Sequence, residues 1–189
     1  MPRSNLETAS LAGGCFWCTE AVFNRLKGVT IVTSGYSGGK DPPAGGPSPT
    51  YEEVCSGQTG HAETIQIGFN PKVISFEKIL EIFFKLHDPT TLNRQEADIG
   101  TQYRSVIFYH DQKQKSTAEK TKQKVEKTGE YSGKIVTEII PFTAFYKAEP
   151  NHQNFYEKNK GQQYCQIVID PKLEKLYKNF SGIVESEIV

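Results

Sequence analysis

Two of the four cysteines in this 189-residue chain stand three residues apart, in Gly13-Gly14-Cys15-Phe16-Trp17-Cys18-Thr19-Glu20. A short run of small and apolar residues leads into the glycine pair, and Cys15 falls at the expected start of a helix. Unpaired backbone N–H groups and the macrodipole at such a start favour a thiolate, the nucleophilic form of cysteine. Glycines there let backbone or ligand approach closely. Phe16 and Trp17, directly after the sulfur, can wall a small apolar pocket. The plain alternative is a buried Cys capping a core helix beside two core aromatics. The single Trp of the chain beside a paired Cys argues against that. Cys15-x-x-Cys18 is also the spacing of redox pairs and zinc knuckles. Zinc would ask for a second close pair, whereas Cys55 and Cys165 stand alone and no close His pair exists. A thiol–disulfide oxidoreductase is the stronger rival, but it leaves the aromatic pair unexplained.

A second informative segment runs from Tyr51 through Glu52-Glu53-Val54-Cys55-Ser56-Gly57 to His61-Ala62-Glu63. Glu63 opens an apolar strand, so its carboxyl can be partly buried, its pKa raised, and its proton available for general acid catalysis. A strand-end carboxylate in water is the alternative. The third segment is Asp98-Ile99-Gly100-Thr101-Gln102-Tyr103-Arg104-Ser105, a polar turn whose carboxylate and phenol can point at one site.

The elements that must position these groups alternate between strand and helix patterns. Ala9 to Gly14 is strand-like, and Cys15 to Lys27 has near-helical apolar spacing that stops at Gly28. Val29 to Val32 reads as a strand, and Ser34 to Thr50, rich in Gly, Pro and Ser, as loop. Glu63 to Phe69 alternates as a half-buried strand. Ser75 caps a helix whose apolar side carries Ile79, Leu80, Phe83 and Leu86 and which ends at Asp88-Pro89. Tyr103 to Tyr109 is a further strand, and Lys113 to Lys127 a largely solvated helix rather than an anion-docking face. Ile135 to Tyr146 reads as one or two strands broken near Pro141, Asn151 to Lys160 as a short helix, Cys165 to Ile169 as a strand, and Leu173 to Phe180 as a last helix. This mixture implies a sheet with helices packed on it.

Composition narrows the partners. Twenty-two bases balance 22 acids, and neither half of the chain has the basic excess that tracks a phosphate backbone. No apolar run reaches the roughly 18 to 20 residues of a membrane span, and no signal-peptide pattern opens the chain. A cytoplasmic protein with neither nucleic-acid nor membrane partners is expected. Four cysteines are too few for a disulfide scaffold, so they point to chemistry.

Taken together, the segments resemble the A-type peptide methionine sulfoxide reductases, enzymes that reduce the S epimer of methionine sulfoxide. The resemblance rests on Gly14-Cys15-Phe16-Trp17, Tyr51 to Gly57 with Thr59-Gly60-His61-Ala62-Glu63, Gly100 to Ser105, and His152-Gln153 followed by Tyr164-Cys165. These stand in the family's order over residues 9–170. The resemblance implies an α+β fold, a two-layer α/β sandwich with a ferredoxin-like core, as one catalytic domain over 1–189 with a tail after 170. It implies a repair enzyme for oxidised proteins that needs neither cofactor nor metal. Cys15 would attack the sulfoxide sulfur, leaving methionine and a sulfenic acid. Glu63 would protonate the departing oxygen, with Tyr51 and Tyr103 as further hydrogen-bond donors. Phe16 and Trp17 would hold the ε-methyl group, and Asp98 the substrate or a water. Cys165 stands where the family carries a resolving cysteine, whose disulfide with Cys15 thioredoxin would reduce. Position 18, Gly in many members, is Cys here, so a second resolving thiol lies beside the nucleophile. Helical spacing sets Cβ atoms three residues apart at about 5 to 6 Å, too far for a relaxed disulfide. Proximity favours Cys18, whereas freedom to adopt good geometry and the resemblance favour Cys165, which is expected to resolve first, with Cys18 exchanging afterwards. Cys55 reads as structural, and His61 and His152 as framework residues.

Overall fold

The computed structural model describes residues 6–185. In chain order it contains β1 (Glu7–Gly13), α1 (Phe16–Phe23), β2 (Val29–Ser37), α2 (Tyr51–Cys55), β3 (Ala62–Phe69), α3 (Phe76–Leu86), β4 (Arg94–Gln95) and β5 (Asp98–Ile99). β6 (Ser105–Tyr109), α4 (Gln112–Thr128), β7 (Glu138–Pro141), β8 (Phe145–Lys147), α5 (Phe155–Asn159) and α6 (Asp170–Phe180) follow. Six strands make one mixed sheet in the order β7-β6-β1-β3-β2-β8, and β4 and β5 form a separate small hairpin. β6–β7 is the parallel pair; β1–β3, β1–β6, β2–β3 and β2–β8 are antiparallel.

Alternation along the strands assigns the faces. Leu11, Ile65, Ile67, Phe69 and Ile107 are fully buried and join Phe16, Phe23, Ile79, Leu80 and Phe83 of α1 and α3 in the main core. Each such side chain contributes about 1.5–3 kcal/mol on burial. Ala12, Ala62, Val106 and Phe108 form a second, smaller cluster. α3 begins at Ser75, whose hydroxyl accepts the Lys78 N–H, and ends at extended His87 ahead of Asp88-Pro89. α4 buries only Gln114, Ala118 and Thr121, leaves most of its lysines exposed, and stops at left-handed Gly129, as its polar composition implies.

Several boundaries differ from the sequence pattern. β2 continues through Ser34-Gly35-Tyr36-Ser37, a stretch whose composition reads as loop. Small residues are needed there because β8 packs close: a Cβ on Gly35 would lie 2.4 Å from the Tyr146 carbonyl oxygen. Tyr103 closes a 3₁₀ turn, Thr101–Tyr103, and the strand proper starts at Ser105. α2 lies where no helix is expected, although Thr50 and Glu53 form a complete capping box at its start. Helical structure in Asn151 to Lys160 divides into a 3₁₀ turn, Pro150–His152, and α5. The largest difference is Cys165–Ile169, a π-helical turn that runs into α6 rather than a strand. Its β-branched residues mimic a strand, yet Ile167 is exposed while Cys165, Ile169, Leu173 and Leu176 are buried. That stripe has helical spacing. Among the described residues no helix is long and apolar enough to cross a membrane.

Candidate active site

Cys15 sits between the end of β1 and the first turn of α1, as the N-cap residue with φ −57° and ψ 126°. Gly14 makes the turn possible: its φ is +90°, and a Cβ there would lie 2.6 Å from Gln95 Cγ. The sulfur does not cap the helix. Instead, the Phe16 N–H at the helix start donates to Glu63 Oε2 at 2.9 Å, so the carboxyl takes the position that the sequence assigns to a thiolate. Cys15 is buried, and burial together with Cys18 and Glu63 pushes its thiol well above the usual range. Burial thus opposes the thiolate that the helix start favours. Cys18, in side-chain contact with Cys15, moves the other way, drawn down by that hydrogen bond and by Lys172.

Glu63 lies at the start of β3 and is 1% exposed. Loss of water is the main reason its carboxyl rises to about 8. The Phe16 N–H and Cys15 oppose that rise, while Asp98 adds to it. The group holds its proton near neutral pH, anchored by the N–H of the residue that follows Cys15. The Tyr51 and Tyr103 hydroxyls are both pushed up, first by burial and then by Glu63. Both phenols thus stay protonated near the carboxyl, available as donors. Cys55 hydrogen-bonds Tyr51 and is only half-buried, which suits the framework role expected of it.

An aromatic group lies beside these donors. Fully buried Phe16 backs it. Trp17 stacks on Phe155 at 3.7 Å between centroids and donates its indole N–H to His152 Nδ1 at 3.2 Å. Tyr51 stacks on His152 at 4.4 Å. Accepting from Trp17 requires a neutral His152, and burial lowers its pKa. His61 accepts the Gly39 N–H and bonds the Lys40 carbonyl, so both histidines hold framework positions. Two carboxylates fix this wall. Buried Glu20 accepts the N–H groups of Asn154 and Phe155 at 2.9 and 3.1 Å, and Glu149 accepts the Tyr51 N–H and the Tyr36 hydroxyl.

Asp98, half-buried on the β4–β5 hairpin, accepts from the Tyr164 hydroxyl at 3.4 Å; that hydroxyl is also 3.8 Å from Cys18 Sγ. Cys165 is fully buried in the π turn. Sequence reasoning assigned no role to Tyr164, Phe155, Glu20, Glu149 or Tyr36. The quoted Tyr164-Cys165 motif was the available signal for the first; the others come into place only through tertiary contacts. All four cysteines are free thiols. Among the described residues no group of three His, Cys, Asp or Glu side chains could hold a metal ion.

The family described as Peptide methionine sulfoxide reductase matches residues 7–183 of this sequence. The chain belongs to the peptide methionine sulfoxide reductase family. A relative from Sulfolobus acidocaldarius, named Peptide methionine sulfoxide reductase MsrA, is 56% identical over 93% of this chain and 96% of its own length. Among solved structures, reduced Mxr1 from Saccharomyces cerevisiae is similar with a TM-score of 0.76 and 37% identity, over 87% of this chain and 91% of that one. Mxr1 in complex with Trx2 is similar with a TM-score of 0.54 and 26% identity, covering 82% and 87% of the two chains. In a methionine sulfoxide reductase the juxtaposition of thiol, acid and aromatic wall has a direct use: the reaction needs a sulfur nucleophile, a proton for oxygen and a pocket for a thioether.

Proposed function

We propose that this chain reduces the S epimer of methionine sulfoxide, free or in oxidised proteins, with Cys15 as nucleophile and thioredoxin as the final reductant. One observation carries the reading: the buried Glu63 carboxyl, raised to about 8 by loss of water and anchored by the N–H of Phe16, the residue next to Cys15. Cys15 sulfur attacks the sulfoxide sulfur while Glu63 gives its proton to the oxygen, an unprotonated oxide being a poor leaving group. Tyr51 and Tyr103 donate to the same oxygen as charge develops on it. The Cys15 thiol proton passes to the Glu63 carboxylate, the oxygen bonds to Cys15 sulfur as its bond to the substrate sulfur and the bond between the two sulfurs break, methionine leaves, and Cys15 becomes a sulfenic acid. A second thiol then forms a disulfide with Cys15 and releases water. Thioredoxin dithiol exchanges with that disulfide and restores the enzyme; the complex of yeast Mxr1 with Trx2 supports this partner. Asp98 orients substrate or a water beside Glu63. Phe16 and Trp17 receive the ε-methyl group, and the R epimer, with methyl and lone pair exchanged, would press its oxygen on that wall.

The fold reading is a ferredoxin-like core inside a two-layer sandwich. The segment β1-α1-β2-β3-α3-β6 supports it, being two βαβ units whose strands stand in the order β6-β1-β3-β2. One sheet joining early and late strands supports one catalytic domain, and four free thiols suit the reducing cytoplasm. The decisive experiment is turnover of racemic dabsyl-methionine sulfoxide with dithiothreitol and chiral separation of the remainder. Consumption should stop near half with only the R epimer left; equal loss of both epimers would refute the pocket assignment.

A further inference from the structure

Cys18 is half of a pair whose geometry departs from a regular helix. Cys15 is the N-cap residue, with extended backbone outside α1, while Cys18 lies in the first turn. The Cys18 N–H bonds the Cys15 carbonyl at 3.1 Å, closing a tight turn that folds the two residues together. The helical separation of about 5 to 6 Å between Cβ atoms three residues apart applies when both residues are helical, so it does not hold Cys15 away from Cys18. Both sulfurs line one cavity, together with Asp98, Gln95 and Lys172. Lys172 is largely covered, bonds Glu96 at 2.7 Å, and favours the thiolate of Cys18.

Cys165 is placed differently. It does not line that cavity, it is fully buried, and it sits in continuous helical structure from Gln163 into α6. The Gln166 N–H bonds the Gln162 carbonyl, and the Asp170 N–H bonds the Cys165 carbonyl. Bringing its sulfur to Cys15 means opening these bonds and vacating a packed site. Cys165 also feels the charge of Cys18, and burial raises its thiol.

We propose that Cys18, not Cys165, is the first resolving thiol: its sulfur attacks the sulfur of Cys15 sulfenic acid, an S–S bond forms, and the oxygen leaves as water with the thiol proton. Cys165 acts afterwards by attack on Cys18, which gives Cys18–Cys165 and returns Cys15 as a free thiol. The proposal rests on the reading of Cys15 as nucleophile.

The experiment is a time-resolved acid quench of wild-type protein after one equivalent of methionine S-sulfoxide without reductant. Free thiols are blocked, and non-reduced tryptic peptides are measured by mass spectrometry. Cys15 and Cys18 share the peptide Ser4 to Arg25, so the first disulfide should appear as that single peptide, two hydrogens lighter and carrying no blocking groups. Cys165→Ser should still close the Cys15–Cys18 bond. Cys18→Ser should accumulate sulfenic acid, trapped by dimedone, with disulfide closure slowed about tenfold or more, because the contact that pre-positions the thiol is gone. Cys15–Cys165 as the first disulfide in wild type, or closure at the wild-type rate in Cys18→Ser, would overturn the proposal. Methionine release in the wild-type quench separates the two levels: its absence refutes the catalytic reading itself, whereas release followed by a first disulfide at Cys165 refutes only the order.

Discussion

Burial keeps Glu63 protonated to about pH 8, against a usual carboxylate value of 4.5. Between those values the native chain holds a proton that the unfolded chain releases. The stability from this group is thus complete at low pH and is lost as pH rises through about 8. At about 1.4 kcal/mol per pKa unit the loss is on the order of 5 kcal/mol. Glu63→Gln should therefore be more stable than wild type near pH 9, with the difference shrinking near pH 5; urea unfolding at both values measures it. A variant no more stable at the higher pH would mean that Glu63 ionises freely. The same substitution removes the proton donor, so methionine release in a single turnover should slow by about 10²- to 10⁴-fold. An unchanged rate would move the acid role to Tyr51 or Tyr103. Cys15→Ser should abolish methionine release even in excess dithiothreitol, because a hydroxyl is a poor nucleophile toward sulfur. Retained release in that variant would disqualify Cys15.

Short elements hold these residues through a few buried contacts. α5 has five residues, too few to stand alone, and starts at left-handed Asn154. Glu20 of α1 secures it by accepting two successive N–H groups, which places Phe155 on Trp17. Glu20→Ala leaves both donors unpaired, at about 1–3 kcal/mol each. It should lower the melting temperature and raise KM more than it lowers kcat, since it loosens the wall and spares the acid. A selective fall in kcat would show that α5 serves the chemistry rather than binding. Gly14→Ala tests the β1–α1 turn. The φ of +90° and the collision with Gln95 predict about 1–3 kcal/mol of destabilisation. Gln95 bonds both the N–H and the carbonyl of Asp88 and stands on the hairpin that carries Asp98, so catalysis should weaken as well.

At the scale of the whole molecule, strand register brings thiol and acid together. The β1–β3 ladder ends at Leu11 opposite Ile65, two residues short of both Gly13 and Glu63. β2 closes the other side with Tyr36 paired to Glu63. Helices cover this sheet end, so Cys15 is only 7% exposed. The acid and aromatic wall beside this sulfur serve a small sulfoxide; disulfide reduction has no use for them. Insulin reduction by this chain with dithiothreitol should stay at the dithiothreitol background in a turbidity assay. A rate well above background would favour a general oxidoreductase.

The sequence by itself determined the nucleophile's neighbourhood, the strand that carries Glu63, the amphipathic α3 and the polar α4, because each is a local pattern of spacing and capping. It also carried the family resemblance, which motif order makes specific. Tertiary structure decided the burial of Cys15, which opposes the thiolate that a helix start favours. It decided that Cys165 belongs to a helical stripe through Ile169 and Leu176, because a β-branched run takes the form its packing partners allow. Long-range contacts alone bring α5 to Glu20, Phe155 onto Trp17, and Tyr164 to Cys18.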